Sequence, residues 1–209
     1  MKRLKIFLGL TALMFLAGQQ VQAQFYDKGM FTLGYNMGLT TGSANNFIGE
    51  GSFRNFSVEG AGFVKGGFAI GARIGYDNFF EDYGRGTWSN GEGSDITANK
   101  YNYLNTMNLQ ATFSYYFNRG GVIQPYVGMG IGTAFVEKRT EYGMMYDGAS
   151  TSNSWNFSMT PEAGVYIPFG VESDWGATLR VQYNHIFFND VDVNGINYLN
   201  FGVGITHRF

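Results

Sequence analysis

Hydrophobic and polar residues alternate along most of this chain, most cleanly at its end. From Ile196 to Phe209, Leu199, Phe201, Val203, Ile205 and Phe209 fall on one face. Tyr198, Asn200, Gly202, Gly204, Thr206 and Arg208 fall on the other. Successive side chains of a strand point to opposite faces, so period two predicts a strand with one apolar and one small or polar surface. Seven more segments read this way. The first, Met30 to Leu39, sets Phe31, Leu33, Tyr35, Met37 and Leu39 against Thr32, Gly34, Asn36 and Gly38. The second, about Phe56 to Lys65, sets Phe56, Val58 and Val64 against Ser57, Glu59 and Ala61. The third sets Phe68, Ile70, Ala72, Ile74 and Tyr76 against Ala69, Gly71, Arg73, Gly75 and Asp77.

The fourth runs from Tyr101 to Phe117, with Met107, Leu109, Phe113 and Tyr115 opposing Thr106, Asn108, Gln110, Thr112 and Ser114. The fifth opposes Ile123, Val127, Met129, Ile131 and Phe135 to Gln124, Gly128, Gly130, Gly132 and Ala134. The sixth opposes Trp155, Phe157, Met159, Ala163, Val165 and Ile167 to Asn156, Ser158, Thr160, Glu162 and Gly164. The seventh opposes Trp175, Ala177, Leu179, Val181 and Tyr183 to Gly176, Thr178, Arg180, Gln182 and Asn184.

Connections alternate too. Short turns join the second to the third, the fourth to the fifth and the sixth to the seventh segment. The stretches near 40–55, 78–100, 136–154 and 187–196 are longer, polar and rich in Gly, Ser and Asn, and predict loops. Short turns at one end and long loops at the other are the pattern of outer-membrane barrels. A soluble barrel hides its large apolar groups inside. Here the second face is mostly small and polar, the filling of a narrow eight-stranded lumen, so the large residues face outward. In lipid an open sheet edge is untenable, so such a sheet closes. The expected fold is all-β: an eight-stranded antiparallel up-and-down transmembrane β-barrel.

Composition fits. The chain holds 31 Gly and 18% aromatic residues but only 14% charged ones, against about 25% in soluble domains. It opens with a basic Met1-Lys2-Arg3-Leu4-Lys5, an apolar run from Ile6 to Ala17 and Val21-Gln22-Ala23. This predicts a cleaved signal peptide over 1–23 and an outer-membrane β-barrel domain over 24–209. The run is too short for a spanning helix, which needs about 20 apolar residues. Without cysteine there is neither a disulfide scaffold nor a lipid-anchored leader. The remaining chain carries eleven basic and sixteen acidic residues, the wrong sign for nucleic acid.

Several segments carry a family resemblance: Gly60-Ala61-Gly62-Phe63-Val64, Ala69 through Tyr76, Gln124-Pro125-Tyr126-Val127-Gly128-Met129-Gly130, and the last strand. With these the chain resembles the small eight-stranded outer-membrane barrels of the OmpA/OmpX type, over essentially the whole length after the leader. The resemblance implies outer-membrane lipids and the assembly machinery as partners, and a peptidoglycan-binding domain is not expected after Phe209. Gly204, Ile205 and the final Phe209 are similar to the assembly signal of such proteins, with His207 departing from its hydrophobic pattern.

Four lumen-facing ions stand out: Glu59 and Arg73 on one hairpin, Glu162 and Arg180 on another. A charged channel lining is one reading. A paired network filling the interior is favoured, because unpaired ions in a narrow lumen are costly and eight strands leave no aqueous pore. Which acid pairs with which base is open. Asp190, Asp192, Asn194 and Gly195 open like a calcium loop, but the twelfth position is Phe201, and an Asn-Gly pair between strands predicts a turn. No metal or cofactor is expected. His185 and His207 fall near opposite rims, without the Ser and acid of a lipid-modifying enzyme, so catalysis is not expected.

Tyr101, Tyr103 and Trp155 near the loops, and Phe117, Trp175 and Phe209 near the turns, read as interface girdles. Tyr83, Trp88, Tyr142, Met144, Met145 and Tyr146 lie in the expected loops, suited to surface contact or to ordinary loop packing. The expected function is a non-enzymatic outer-membrane barrel with a plugged polar lumen, serving envelope integrity or adhesion to surface partners through its loops. A narrow porin-like channel and a lipid-modifying enzyme are the competing readings.

Overall fold

The computed structural model describes residues 29–64, 66–89, 95–119, 121–143, 148–170, 173–190 and 193–209. The expected signal peptide, Asp192, Met144, Met145 and Tyr146 lie outside these residues. Eight strands form one closed antiparallel barrel in chain order. They are β1 (Gly29–Thr41), β2 (Ser52–Phe63), β3 (Phe68–Ser89), β4 (Asp95–Tyr116), β5 (Gln124–Tyr142), β6 (Gly148–Pro168), β7 (Trp175–Asn189) and β8 (Asn194–Arg208). Between β1 and β2 lies a one-turn helix, α1 (Ser43–Phe47).

The register can be followed once around. Phe31 pairs with Gly60, then Ala72, Ala111, Ile131, Met159, His185 and Asn197, and Asn197 returns to Thr41 of β1. The circuit closes ten residues further along β1, from 31 to 41. That stagger goes with strands tilted about 40° from the barrel axis.

Alternation holds throughout the shared part of the wall. Leu33, Ile74, Leu109, Phe113, Leu179, Val203 and Ile205 point outward and are exposed, while Thr32, Arg73, Gln110, Thr112, Arg180 and Thr206 point inward and are buried. Since paired residues lie on the same side of a sheet, the outward side chains form a continuous apolar belt.

Strand length departs from the sequence expectation. The described residues of 78–100 and 136–154 are mostly strand rather than loop: β3 and β4 are each 22 residues long, β5 is 19 and β6 is 21. A tilted strand needs about 9–11 residues to cross an apolar layer, so these four continue well past the belt as a raised wall. Their upper parts alternate Ser, Thr, Asn, Gly and charged residues on both faces, so no apolar period marks them as strand. On the other side of the barrel, β1, β2, β7 and β8 stop lower, at 12–15 residues each. The stretch 40–55 instead holds α1 and the start of β2, and 187–196 is mostly strand: β7 runs to Asn189 and β8 begins at Asn194, so the Asn194-Gly195 pair expected as a turn lies within β8, with Gly195 at φ 78°.

Candidate functional site

The lumen gathers the chemistry-bearing residues, in layers. At mid-height, Arg73 on β3 grips Glu59 on β2 with one edge of its guanidinium: Nε donates at 3.0 Å and Nη2 at 2.8 Å to Oε2. The same Nη2 reaches Glu162 on β6 at 2.6 Å. From β7, Arg180 Nη1 donates to Glu59 at 3.0 Å, and Nη2 donates to Ser57. Gln182 donates to Glu162 at 2.8 Å. The four ions foreseen from sequence thus meet in one cluster, and the pairing left open there crosses between hairpins. Each carboxylate touches Arg73, which locks β2, β3 and β6 across the barrel.

Toward the loop end lies a second polar layer that the sequence reading passed over. Asp77 on β3 is buried and accepts hydrogen bonds from Tyr198 (2.8 Å), Asn200 (2.8 Å) and Asn108 (3.3 Å). Its signal was its register: it sits on the Arg73 face, four residues on. Gln110, Thr160 and Asn184 continue the hydrogen bonding across the tube.

Both ends of the lumen are apolar. At the loop end Phe79, Leu104, Val136, Ile186, Phe188, Ile196 and the ring of Tyr198 pack with Ala44 and Ile48 from the α1 segment. Tyr83 Oη (3.1 Å) and Asn102 Nδ2 (2.8 Å) both donate to the Phe47 carbonyl. Lys138 stands 4.9 Å from the Phe47 ring centroid and 3.0 Å from Asp190. At the turn end Met30, Phe63, Ala69, Tyr116, Tyr126 and Tyr166 form a floor. Glycines make room for these rings: a Cβ on Gly164 would stand 2.7 Å from Tyr126, and one on Gly176 2.6 Å from Tyr166. The expectation of a small polar filling therefore needs correction at both ends. Large rings fit an eight-stranded lumen where the facing residues are glycine. A cavity of about 500 Å³ lies on the outer face, between Phe68, Ile70, Phe113, Tyr115, Val127 and Met129.

Most of the remaining sequence-chosen residues sit apart from the lumen, while Gly204 lies on its wall. Trp155 packs on Phe135 at 5.3 Å, and Phe80 lies between Tyr103 (5.0 Å) and Tyr101 (6.4 Å) toward the loop end. Trp175 packs on His207 at 4.6 Å, and Phe117 on Tyr115 at 5.1 Å, at the turn end. Gly204 pairs with Gly34 and Thr178, Ile205 points outward, and Phe209 donates its N–H to the Gly29 carbonyl at 2.9 Å. His185 contacts Asn197 and Phe187 near the loop end, far from His207. Asp190, part of the calcium-like string, is the partner of Lys138.

Tyr83 and Trp88 are not free-standing loop aromatics. Their rings meet at 6.0 Å, and Lys100 lies over both, at 5.3 and 4.9 Å. Up on the wall, burial and the neighbouring Glu81 carboxylate push the Tyr83 phenol up to about 12.

Solved structures with this architecture are small outer-membrane barrels. Neisserial surface protein A matches with a TM-score of 0.54 at 11% identity, over 87% of this chain and 97% of that one. Ail, the attachment invasion locus protein of Yersinia pestis, gives 0.52 at 9% identity, over 88% and 99%. A major outer membrane protein from Thermus thermophilus gives 0.50 at 13% identity, over 87% and 99%. No family model matches the sequence, and no curated protein does. At such identities the shared property is the fold: this chain is built as a small eight-stranded barrel of the outer-membrane type.

Proposed function

We propose that this chain is an integral outer-membrane protein, exported by the leader over 1–23, whose closed and filled lumen does not conduct and whose tall wall meets surface partners. The carrying observation is the inversion of the faces. A belt of exposed Leu, Ile, Val, Phe and Trp surrounds a lumen of paired ions and hydrogen-bonded amides. Such a belt is stable against lipid and a liability in water. Closure supports the same reading, since every strand has a partner on both sides within the belt. Flanking aromatics at both rims, Trp155 and Tyr103 above and Trp175 and Phe117 below, suit head-group contact.

Layered filling of the lumen supports a structural role over transport. Above the belt, among the described residues, β3 has no strand partner on its β2 side beyond Tyr76, and β6 none on its β7 side before Ser158. Open strand edges raised from the membrane suit contact with other proteins. Gly204, Ile205 and Phe209 serve assembly in this reading, and neither cofactor nor catalysis enters it. The test is electrophoretic. Unboiled folded protein recovered from the outer-membrane fraction should migrate apart from boiled protein. A soluble protein with a single heat-independent band overturns the proposal.

A further inference from the structure

We infer that Arg208 and Arg119 form an oxyanion site at the turn-end mouth of the lumen, for an anion such as phosphate that presents two oxygens to one guanidinium edge. The inference rests on the membrane-barrel reading only for the compartment this mouth faces, the periplasm.

Arg208 points inward from the end of β8. Its guanidinium lies 3.8 Å from the Tyr166 ring centroid, with Phe63 at 5.3 Å and Tyr116 at 5.8 Å. Stacking engages the face of a guanidinium and leaves its edge donors for a planar acceptor. Those edge donors, Nε and Nη2, are shielded from solvent and have no hydrogen-bond partner among the described residues. Higher in the same lumen, the same Nε/Nη2 edge of Arg73 holds Glu59 at 3.0 and 2.8 Å. Arg208 has the fork without the carboxylate.

Two further observations converge there. Arg119, from the β4–β5 turn, lies 4.1 Å from the Phe63 centroid, so two cations share one ring. Tyr166 Oη, a hydroxyl able to donate to an oxyanion, is also buried without a partner among the described residues. The deeper carboxylates, Glu59 and Glu162, are held by Arg73, Arg180 and Gln182. A charged donor left unmet is expensive, and an oxyanion at the mouth relieves it when the guanidinium slides outward over Tyr166. Free phosphate and the phosphate of a lipid head group offer the same two-oxygen chemistry.

The experiment uses the folded full-length protein in an uncharged, phosphate-free detergent. Arginine Nε–H signals are followed by NMR as inorganic phosphate is added, with chloride at equal ionic strength as reference, and phosphorus NMR reads binding to variants. A saturable displacement of the Arg208 signal is expected. Binding should weaken about tenfold in Arg208→Lys, which keeps the charge and loses the fork, and less in Arg119→Gln. In phosphatidylglycerol nanodiscs, an Arg208 signal displaced without added phosphate assigns the site to the head group. The proposal is overturned if neither source displaces the signal, if chloride does so equally, or if both variants bind like the parent. The heat-dependent gel shift of the same samples reports separately whether the barrel is intact.

Discussion

The middle and the ends of the lumen are filled by different chemistry. At mid-height Arg73 and Arg180 hold Glu59 and Glu162 through directional contacts at 2.6 to 3.0 Å. At the ends, rings and aliphatic side chains do the packing, with Lys138, paired to Asp190, laid on Phe47 and Arg208 laid on Tyr166. A packed end loses stability in proportion to the volume removed. A paired middle loses more than the deleted contact, because the partner left behind is a buried charge with less compensation. In the proposed reading the middle holds the strands together and the ends seal the tube.

Breaking the middle should therefore cost most. Arg73→Ala leaves Glu162 with no cation among the described residues and Glu59 with Arg180 alone, and folding into vesicles followed by urea titration should lose about 3–5 kcal/mol. At the loop end Phe79→Ala empties a packed site and should cost about 3 kcal/mol in the same assay. A cost for Arg73→Ala below that of Phe79→Ala would invert the comparison. Tyr198 belongs to both regions, its ring in the upper cluster and its hydroxyl on Asp77. Tyr198→Phe keeps the packing and removes one donor from a buried carboxylate, for about 2 kcal/mol. Smallest is Lys138→Met at the α1 clasp. Global stability should change by less than about 1 kcal/mol, while amide exchange of residues 44–48 quickens measurably.

The sequence made the belt legible because lipid-facing and lumen-facing residues alternate wherever a strand crosses it. The same rule identified Glu59, Arg73, Glu162 and Arg180 as lumen residues, but their cross-hairpin pairing depends on the stagger of the closed sheet, a tertiary property. Asp77, Tyr116, Tyr126 and Tyr166 were readable from register alone, yet an aromatic residue in a membrane strand invites a lipid-facing assignment. The upper wall was not legible. In Ser150–Ser154 both faces meet water, so no contrast between faces remains to mark a strand. Helix α1 is five residues long and is held by its contacts with Tyr83, Asn102 and Lys138, none of them near it in sequence.

The most direct test of the sealed barrel is single-channel recording of folded, heat-modifiable protein in planar bilayers. A flat trace is expected, with the apolar layers at both ends blocking ions above and below the paired middle. Reproducible conductance steps from the same preparation would contradict the account.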